Sequence, residues 1–308
     1  MPELSVSILV ECVTQPSCTP YLLSIDWILT VRLLRYGPKG DEKPGTLDAQ
    51  GNIRDLSLLV QDWTPDWLSA TRLNALTAID IEKLPLVEGN PRLGMPIAGV
   101  RQFVAIGLNY RKHAEESELD IPKEPIVFTK AITCLSGPND DIVLPPDSVE
   151  TDWELELGFV IGTTARNVSA ENALDYVAGY CVANDVSERN WQTKRNGQWG
   201  KGKSFDTFGP IGPWLVTRDE IPNPQGLDME LSVNGVVKQK SNTEDMIFSV
   251  SEIVAYLSQF MTLLPGDVVV TGTPAGVGFG MKPQQFLKTG DIVSLKIERL
   301  GTQTQKVV

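Results

Sequence analysis

Along most of this chain apolar and polar positions alternate, the two-residue period of strands, and helical spacing is uncommon. "LDMELSVNGVVKQK" (227–240) alternates on both sides of Asn234-Gly235, a dipeptide suited to a tight hairpin turn. "DIVSLKIERLG" (291–301) places Val293, Leu295 and Ile297 on one face. "PGDVVVTGTPAG" (265–276) reads as a turn at Pro265-Gly266 and then a buried strand. "VRLLRYGPKGDEKPGTLDAQGNIRDLS" (31–57) reads as a strand, a turn and a second strand. Two segments have helical spacing. "SVSEIVAYLSQFM" (249–261) offers Ser249 and Glu252 as a capping box, with Ile253, Val254, Leu257 and Phe260 as its apolar stripe. "SAENALDYVAGY" (169–180) is the second predicted helix. The class that follows is mostly β with short helices. "EGNPRLGMPIAG" (88–99), rich in Gly and Pro, marks a boundary between a small N-terminal domain (31–95) and a larger one (96–308).

The first thirty residues differ in character. "YLLSIDWILTVRLL" is apolar, but no Lys or Arg precedes Arg32, so the basic start of a signal peptide is missing. Asp26 interrupts the run, which is too short to span a bilayer. Residues 1–30 are therefore expected to be an extension or a poorly ordered tail, with the natural chain starting at Val31. A peripheral anchor helix would need basic residues that this segment lacks. The 308 residues carry a net charge of −12 at pH 7. That charge disfavours a nucleic-acid or anionic-membrane surface. Cys12, Cys18, Cys134 and Cys181 form no C-x-x-C pair and suit a reducing, cytoplasmic setting.

Candidate chemistry begins with "DWELELGFVIG" (152–162), where two glutamates interrupt an apolar run. In a strand, Glu154 and Glu156 share one face while Trp153, Leu155 and Leu157 share the other. A divalent cation held between them would keep both ionised, whereas a strand with one wet face explains them without any ligand. The only histidine, His113, precedes Glu116 by three residues, about 5–6 Å apart on a helix. A carboxylate beside imidazole orients it and raises its basicity, as a general base requires. A surface pair would have the same spacing. Asp185 ends an apolar strand in "YCVANDVSERNWQ", either as a third oxygen ligand or as the cap of a following helix. Arg189 and Gln192 follow on the same predicted face and suit a substrate carboxylate and polar oxygens. "QWGKGKSFDTFGPIGPW" offers Lys201 and Lys203 in a Gly-rich setting, and "TGTPAGVG" puts Thr271 and Thr273 at a strand end. Neither segment is a Walker loop or a G-x-G-x-x-G turn. Three carboxylates without a Cys or His cluster suit a hard cation, Mg²⁺ first, with Mn²⁺ or Ca²⁺ as alternatives.

Taken in order, "GLNYRKHAEE", "FTKA", "GPNDDIVLP", "DWELELGFVIG", "GYCVANDVSERNWQ", "GKGKSFDTFGPIGPW" and "TGTPAGVG" resemble the fumarylacetoacetate hydrolase family. The resemblance implies a mixed β-roll catalytic domain behind a small N-terminal domain, usually in a homodimer. It implies Mg²⁺ on Glu154, Glu156 and Asp185, and a water-activating dyad of His113 and Glu116. Lys203 is then expected to stabilise a developing enolate or oxyanion, with Lys130 and Thr273 among the substrate-binding positions. The implied reaction is hydrolysis of a C–C bond in a 2,4-dioxo acid, releasing pyruvate and a hydroxy acid. The nearest resemblance is to members acting on 2,4-dioxo-3-deoxy-L-fuconate or the rhamnonate derivative, with Arg189, Gln192 and Gln198 as contacts to the sugar hydroxyls. Ureidoglycolate lyase, oxaloacetate decarboxylase and isomerase activities share such a metal-enolate site and remain alternatives. A non-catalytic ligand-binding protein is the other class, disfavoured because it needs no general base.

Overall fold

The computed structural model describes residues 31–308, so the expectation for residues 1–30, with Cys12 and Cys18, falls outside the described residues. Strands β1 (Arg32–Tyr36), β2 (Lys43–Leu47) and β3 (Ile53–Asp55) form an antiparallel meander, followed by α1 (Ala70–Leu76). Then come β4 (Phe103–Gly107), α2 (Arg111–Glu116), β5 (Ile126–Lys130), β6 (Leu155–Ile161) and β7 (Val177–Asn184). Two short helices, α3 (Arg189–Thr193) and α4 (Gly200–Lys203), lead into β8 (Gly209–Thr217). The rest comprises β9 (Asp228–Val233), β10 (Val236–Asn242), α5 (Val250–Phe260), β11 (Val268–Val270), β12 (Ile292–Ile297) and β13 (Gly301–Lys306).

Two sheets carry the fold. The larger runs β3-β2-β1-β8-β7-β6-β11-β4-β5, and the smaller runs β10-β9-β12-β13. β6, β7 and β11 are buried on both faces, which is why they read as nearly continuous apolar runs. The hairpin expected at Asn234-Gly235 forms, with both residues at positive φ (52° and 76°). Val293, Leu295 and Ile297 face inward as the alternation requires. Buried glutamines join the two sheets. Gln239 on β10 accepts from Leu155 N–H (2.9 Å), and Gln303 on β13 donates to Val182 C=O (2.7 Å). The 31–95 segment shares this framework: β1 pairs with β8, and Leu33, Trp63 and Leu68 join the same core as β6 and β11. Cys134 and Cys181 are free and buried.

Helix α5 has its capping box in place, with Glu252 N–H on the Ser249 hydroxyl and Ser249 N–H on the Glu252 carboxylate (2.8 Å). Its stripe is narrower than predicted. Ile253, Val254 and Leu257 are buried, while Phe260 is 54% exposed and packs edge-on against Tyr256. The helix expected over 169–180 is replaced by one 3₁₀ turn (Ala173–Tyr176), and β7 begins at Val177. Pairing of Val177–Asn184 with β6 and β8 on its two edges overrides the local helical pattern.

Another 3₁₀ turn, Arg218–Glu220, follows β8 and buries Glu220 with its Oε1 unpartnered. Burial, opposed by Arg32 and reinforced by Asp219, pushes its carboxyl up to about 7. The native state keeps this proton where the unfolded chain has lost it. Stability therefore falls as pH rises from the ordinary glutamate range to about 7. Glu220→Gln should raise Tm at pH 8 and leave it unchanged at pH 4. An equal effect at both pH values in thermal melts would refute this assignment.

Candidate active site

Antiparallel pairing of β6 and β7 brings the acidic residues together. Glu156 lies opposite Ala183 and Leu155 opposite Asn184, and Asp185 N–H donates to Glu154 C=O (2.9 Å). One carboxylate oxygen from each of Glu154, Glu156 and Asp185 lies within 4.8 Å of the other two. A wet strand face would leave these side chains exposed, yet the residues are 5%, 1% and 1% exposed. Asp185 does not cap the helix either. A short strand pair at Ser187–Glu188 intervenes, and α3 starts at Arg189.

Cations surround the triad. Lys203 Nζ lies 2.6 Å from both Glu154 Oε2 and Asp185 Oδ2. Gly202 makes this reach possible, because a Cβ there would stand 2.5 Å from Gln192 N and Glu188 O. Lys130 Nζ is hydrogen-bonded to Asp185 Oδ1 and to Phe208 C=O, and Lys130 is not part of the lining of the cavity onto which His113 opens. Arg189 contacts Glu154 Oε1 at 2.6 Å, holds Asp152 on its other edge and donates to Gln192 Oε1. Burial would raise the Glu154 carboxyl, but Lys203 and Arg189 outweigh it and hold the group down to about 2. For Glu156, burial and then the neighbouring Asp185 and Glu154 push the carboxyl well above the usual range. Only its Oε2 receives a hydrogen bond among the described residues, from Gly272 N–H (2.7 Å). Gly272 sits at φ 92°, where a Cβ would meet Asn109 Cβ at 2.8 Å. This all-oxygen donor set, with one carboxylate lightly engaged, fits a hard divalent cation.

His113 and Glu116 project from α2 as the spacing predicts, with His113 Nδ1 3.2 Å from Glu116 Oε2. Gly276 N–H donates to both Glu116 oxygens (3.0 and 3.1 Å) and fixes that carboxylate. His113 opens onto a cavity of about 220 Å³ that Glu154, Glu156, Asp185, Arg189, Gln192, Lys203 and Thr273 also line. The remaining wall is mainly apolar, including Ile106, Leu108, Ile126, Phe128, Trp199 and Phe279. Thr273 lines the cavity, but its hydroxyl donates to Leu155 C=O (3.0 Å) and accepts from Gln239 (2.8 Å). Thr271 is likewise engaged, with Leu157 C=O. Gln198 and Lys201 are exposed and lie outside the cavity lining, so neither meets the expected contact.

Sequence reasoning missed Asp152 and Gln239. Asp152 lies two residues before Glu154 in the alternation that exposed the glutamates, so its shared face was legible. Gln239 belongs to the other sheet, and no local signal marks it.

A mostly β fold encloses a carboxylate triad, a buried lysine and a His–Glu pair, a set that fits an enzyme of the metal-dependent type. The C-terminal profile of fumarylacetoacetate (FAA) hydrolase matches residues 102–308, and the chain belongs to that family. A Burkholderia ambifaria protein named "Putative hydrolase" is 59% identical over 276 residues, covering 89% of this chain and 98% of that protein. Fumarylacetoacetate hydrolase from Exiguobacterium antarcticum superposes with TM-score 0.80 at 35% identity, over 90% of this chain and 99% of that one. Maleylpyruvate hydrolase from Sphingobium sp. SYK-6, solved with manganese(II) and pyruvate, gives TM-score 0.75 at 30% identity, over 90% and 98%. No helix among the described residues is long and apolar enough to cross a membrane.

Proposed function

We propose that this protein hydrolyses a C–C bond of a 2,4-dioxo acid and releases pyruvate with a carboxylic acid. The observation that carries this reading is that His113, held by Glu116, opens on the same cavity as three buried carboxylates. Mg²⁺, or Mn²⁺ or Ca²⁺ in its place, would be held by Glu154, Glu156 and Asp185 and supply Lewis-acid polarisation of a 2-oxo acid. Glu116 accepts from His113 Nδ1, leaving Nε2 to take a proton from water. The resulting hydroxide bonds to C4, the C3–C4 bond breaks, and its electron pair passes to the pyruvate enolate, which is then protonated. Lys203 places its ammonium at the cavity floor, where that negative charge develops.

The apolar wall of Ile126, Phe128, Trp199 and Phe279 favours an apolar acyl arm. A 2,4-dioxo-3-deoxy-L-fuconate or rhamnonate arm is the second reading, supported by Gln192 in the lining. Its hydroxyls would need polar partners, and Arg189 is already engaged by Asp152 and Glu154. The likeness to maleylpyruvate hydrolase supports the pyruvate half. A homodimer is proposed on family grounds and is tested by light scattering.

A coupled pyruvate assay with Mg²⁺ decides, comparing acetylpyruvate, longer acylpyruvates, the deoxy sugar acid, oxaloacetate and ureidoglycolate. Acylpyruvates should turn over fastest. Faster sugar-acid hydrolysis would select the second reading, and preferential turnover of oxaloacetate or ureidoglycolate a decarboxylase or lyase. No turnover of any would favour a binding protein. His113→Ala should abolish hydrolysis and leave Mn²⁺ affinity unchanged. An equal loss of metal binding would place the imidazole in the coordination shell.

A further inference from the structure

Asp152 is fully buried, and five N–H groups converge on its carboxylate. Trp153 N–H (2.9 Å) and Gly278 N–H (2.7 Å) reach Oδ1. Phe279 N–H (2.9 Å), Arg189 Nε (2.9 Å) and Arg189 Nη2 (2.6 Å) reach Oδ2. The adjacent Trp153 indole donates to Gly276 C=O (3.1 Å), and Gly276 N–H holds Glu116. The 276–279 segment is thus held at one end by the dyad carboxylate and at the other by Asp152. It has no room for side chains at its glycines: a Cβ on Gly276 would stand 2.0 Å from Lys238 O, and one on Gly278 1.8 Å from Gln285 O. Through Arg189, the same Asp152 carboxylate is linked to Glu154.

We propose that Asp152 is a positioning residue that sets the dyad's Glu116 relative to Glu154 through the 276–279 segment and Arg189. The proposal rests on the hydrolytic reading for its kinetic consequence alone. Charge and geometry both require a carboxylate, because every partner is a donor. An Asn amide would turn its own NH₂ either toward the loop N–H groups or toward the guanidinium, and one set would lose its acceptor. The Phe279 ring lies 5.7 Å from the Arg189 guanidinium, a second contact between the segment and that residue.

The test combines Asp152→Asn kinetics with hydrogen exchange on the wild-type protein. Asp152→Asn should lower kcat about 100-fold, the scale of a small misplacement of catalytic groups. KM and Mn²⁺ affinity should stay near wild type, a split that general destabilisation would not give. A kcat within twofold of wild type, or a loss confined to KM, would overturn the proposal. Exchange reads the clasp without any substrate and without a variant that must fold. The amides of 278 and 279 should be protected as strongly as those of β11, although they lie outside the strands. Exchange at the rate of exposed loops would overturn the clasp, and that result stands apart from any failure of the substrate assay.

Discussion

Lys203→Met should destabilise the metal-free protein by about 3–5 kcal/mol, the usual cost of removing one partner from a buried ion pair. Lys203 is 2% exposed, and its ammonium touches both Glu154 and Asp185. Burial alone would lower its pKa, but Asp185 and Glu154 raise it above the ordinary lysine value, so the group is charged throughout the working range. Methionine matches its length but leaves the Glu154 and Asp185 carboxylates to repel one another, with Arg189 and Lys130 as the cations that still contact them among the described residues. A divalent cation binding the native state should then recover part of the loss, about 2.7 kcal/mol at a hundred times its Kd. Melts in EDTA and in saturating Mg²⁺ measure both quantities. Under the proposed mechanism, kcat should fall about 10²–10³-fold even with Mg²⁺, because the charge meeting the enolate is gone. An unchanged melting temperature in EDTA would remove Lys203 from the charge balance of the site.

The second large effect concerns the acidic residues. Glu154→Gln and Asp185→Asn each remove one negative ligand at nearly constant volume, so turnover should disappear while the fold survives. Added Mg²⁺ should restore activity only partly. Wild-type turnover by either variant in EDTA-treated samples would refute the metal assignment. The pH dependence is a further check. Glu156 retains a proton beyond the ordinary carboxylate range because it is buried beside Asp185 and Glu154. A cation must displace that proton, so metal affinity should rise as pH rises. Titration calorimetry with Mn²⁺ at several pH values would show this, and a flat profile would separate Glu156 from the metal site.

Much of this site can be read from spacing. The side-chain period of strands places Glu154 and Glu156 on one face, and the turn of a helix brings His113 to Glu116. Both relations are local and survive in the structure. Longer-range inferences fared less evenly. Arg189 and Gln192 reach the cavity, but the guanidinium is engaged by Asp152 and Glu154, and Gln198 lies outside the lining. The helix expected over 169–180 failed because β7 has partners on both edges, which no local pattern reports.

What the sequence determined by itself was therefore the class of fold, the capping box of α5, the hairpin at Asn234-Gly235 and the identity of the candidate ligands. Each depends on neighbours within about one turn or one strand, where covalent geometry fixes the spacing. The tertiary structure alone decided that Glu154, Glu156 and Asp185 are buried together. It alone separated Lys203 at the site from the exposed Lys201, and tied the 276–279 segment to Asp152 and Glu116. Those contacts join residues up to 160 positions apart. They arise when two sheets close over a common core, so their distances and burial are set by packing rather than by any local spacing.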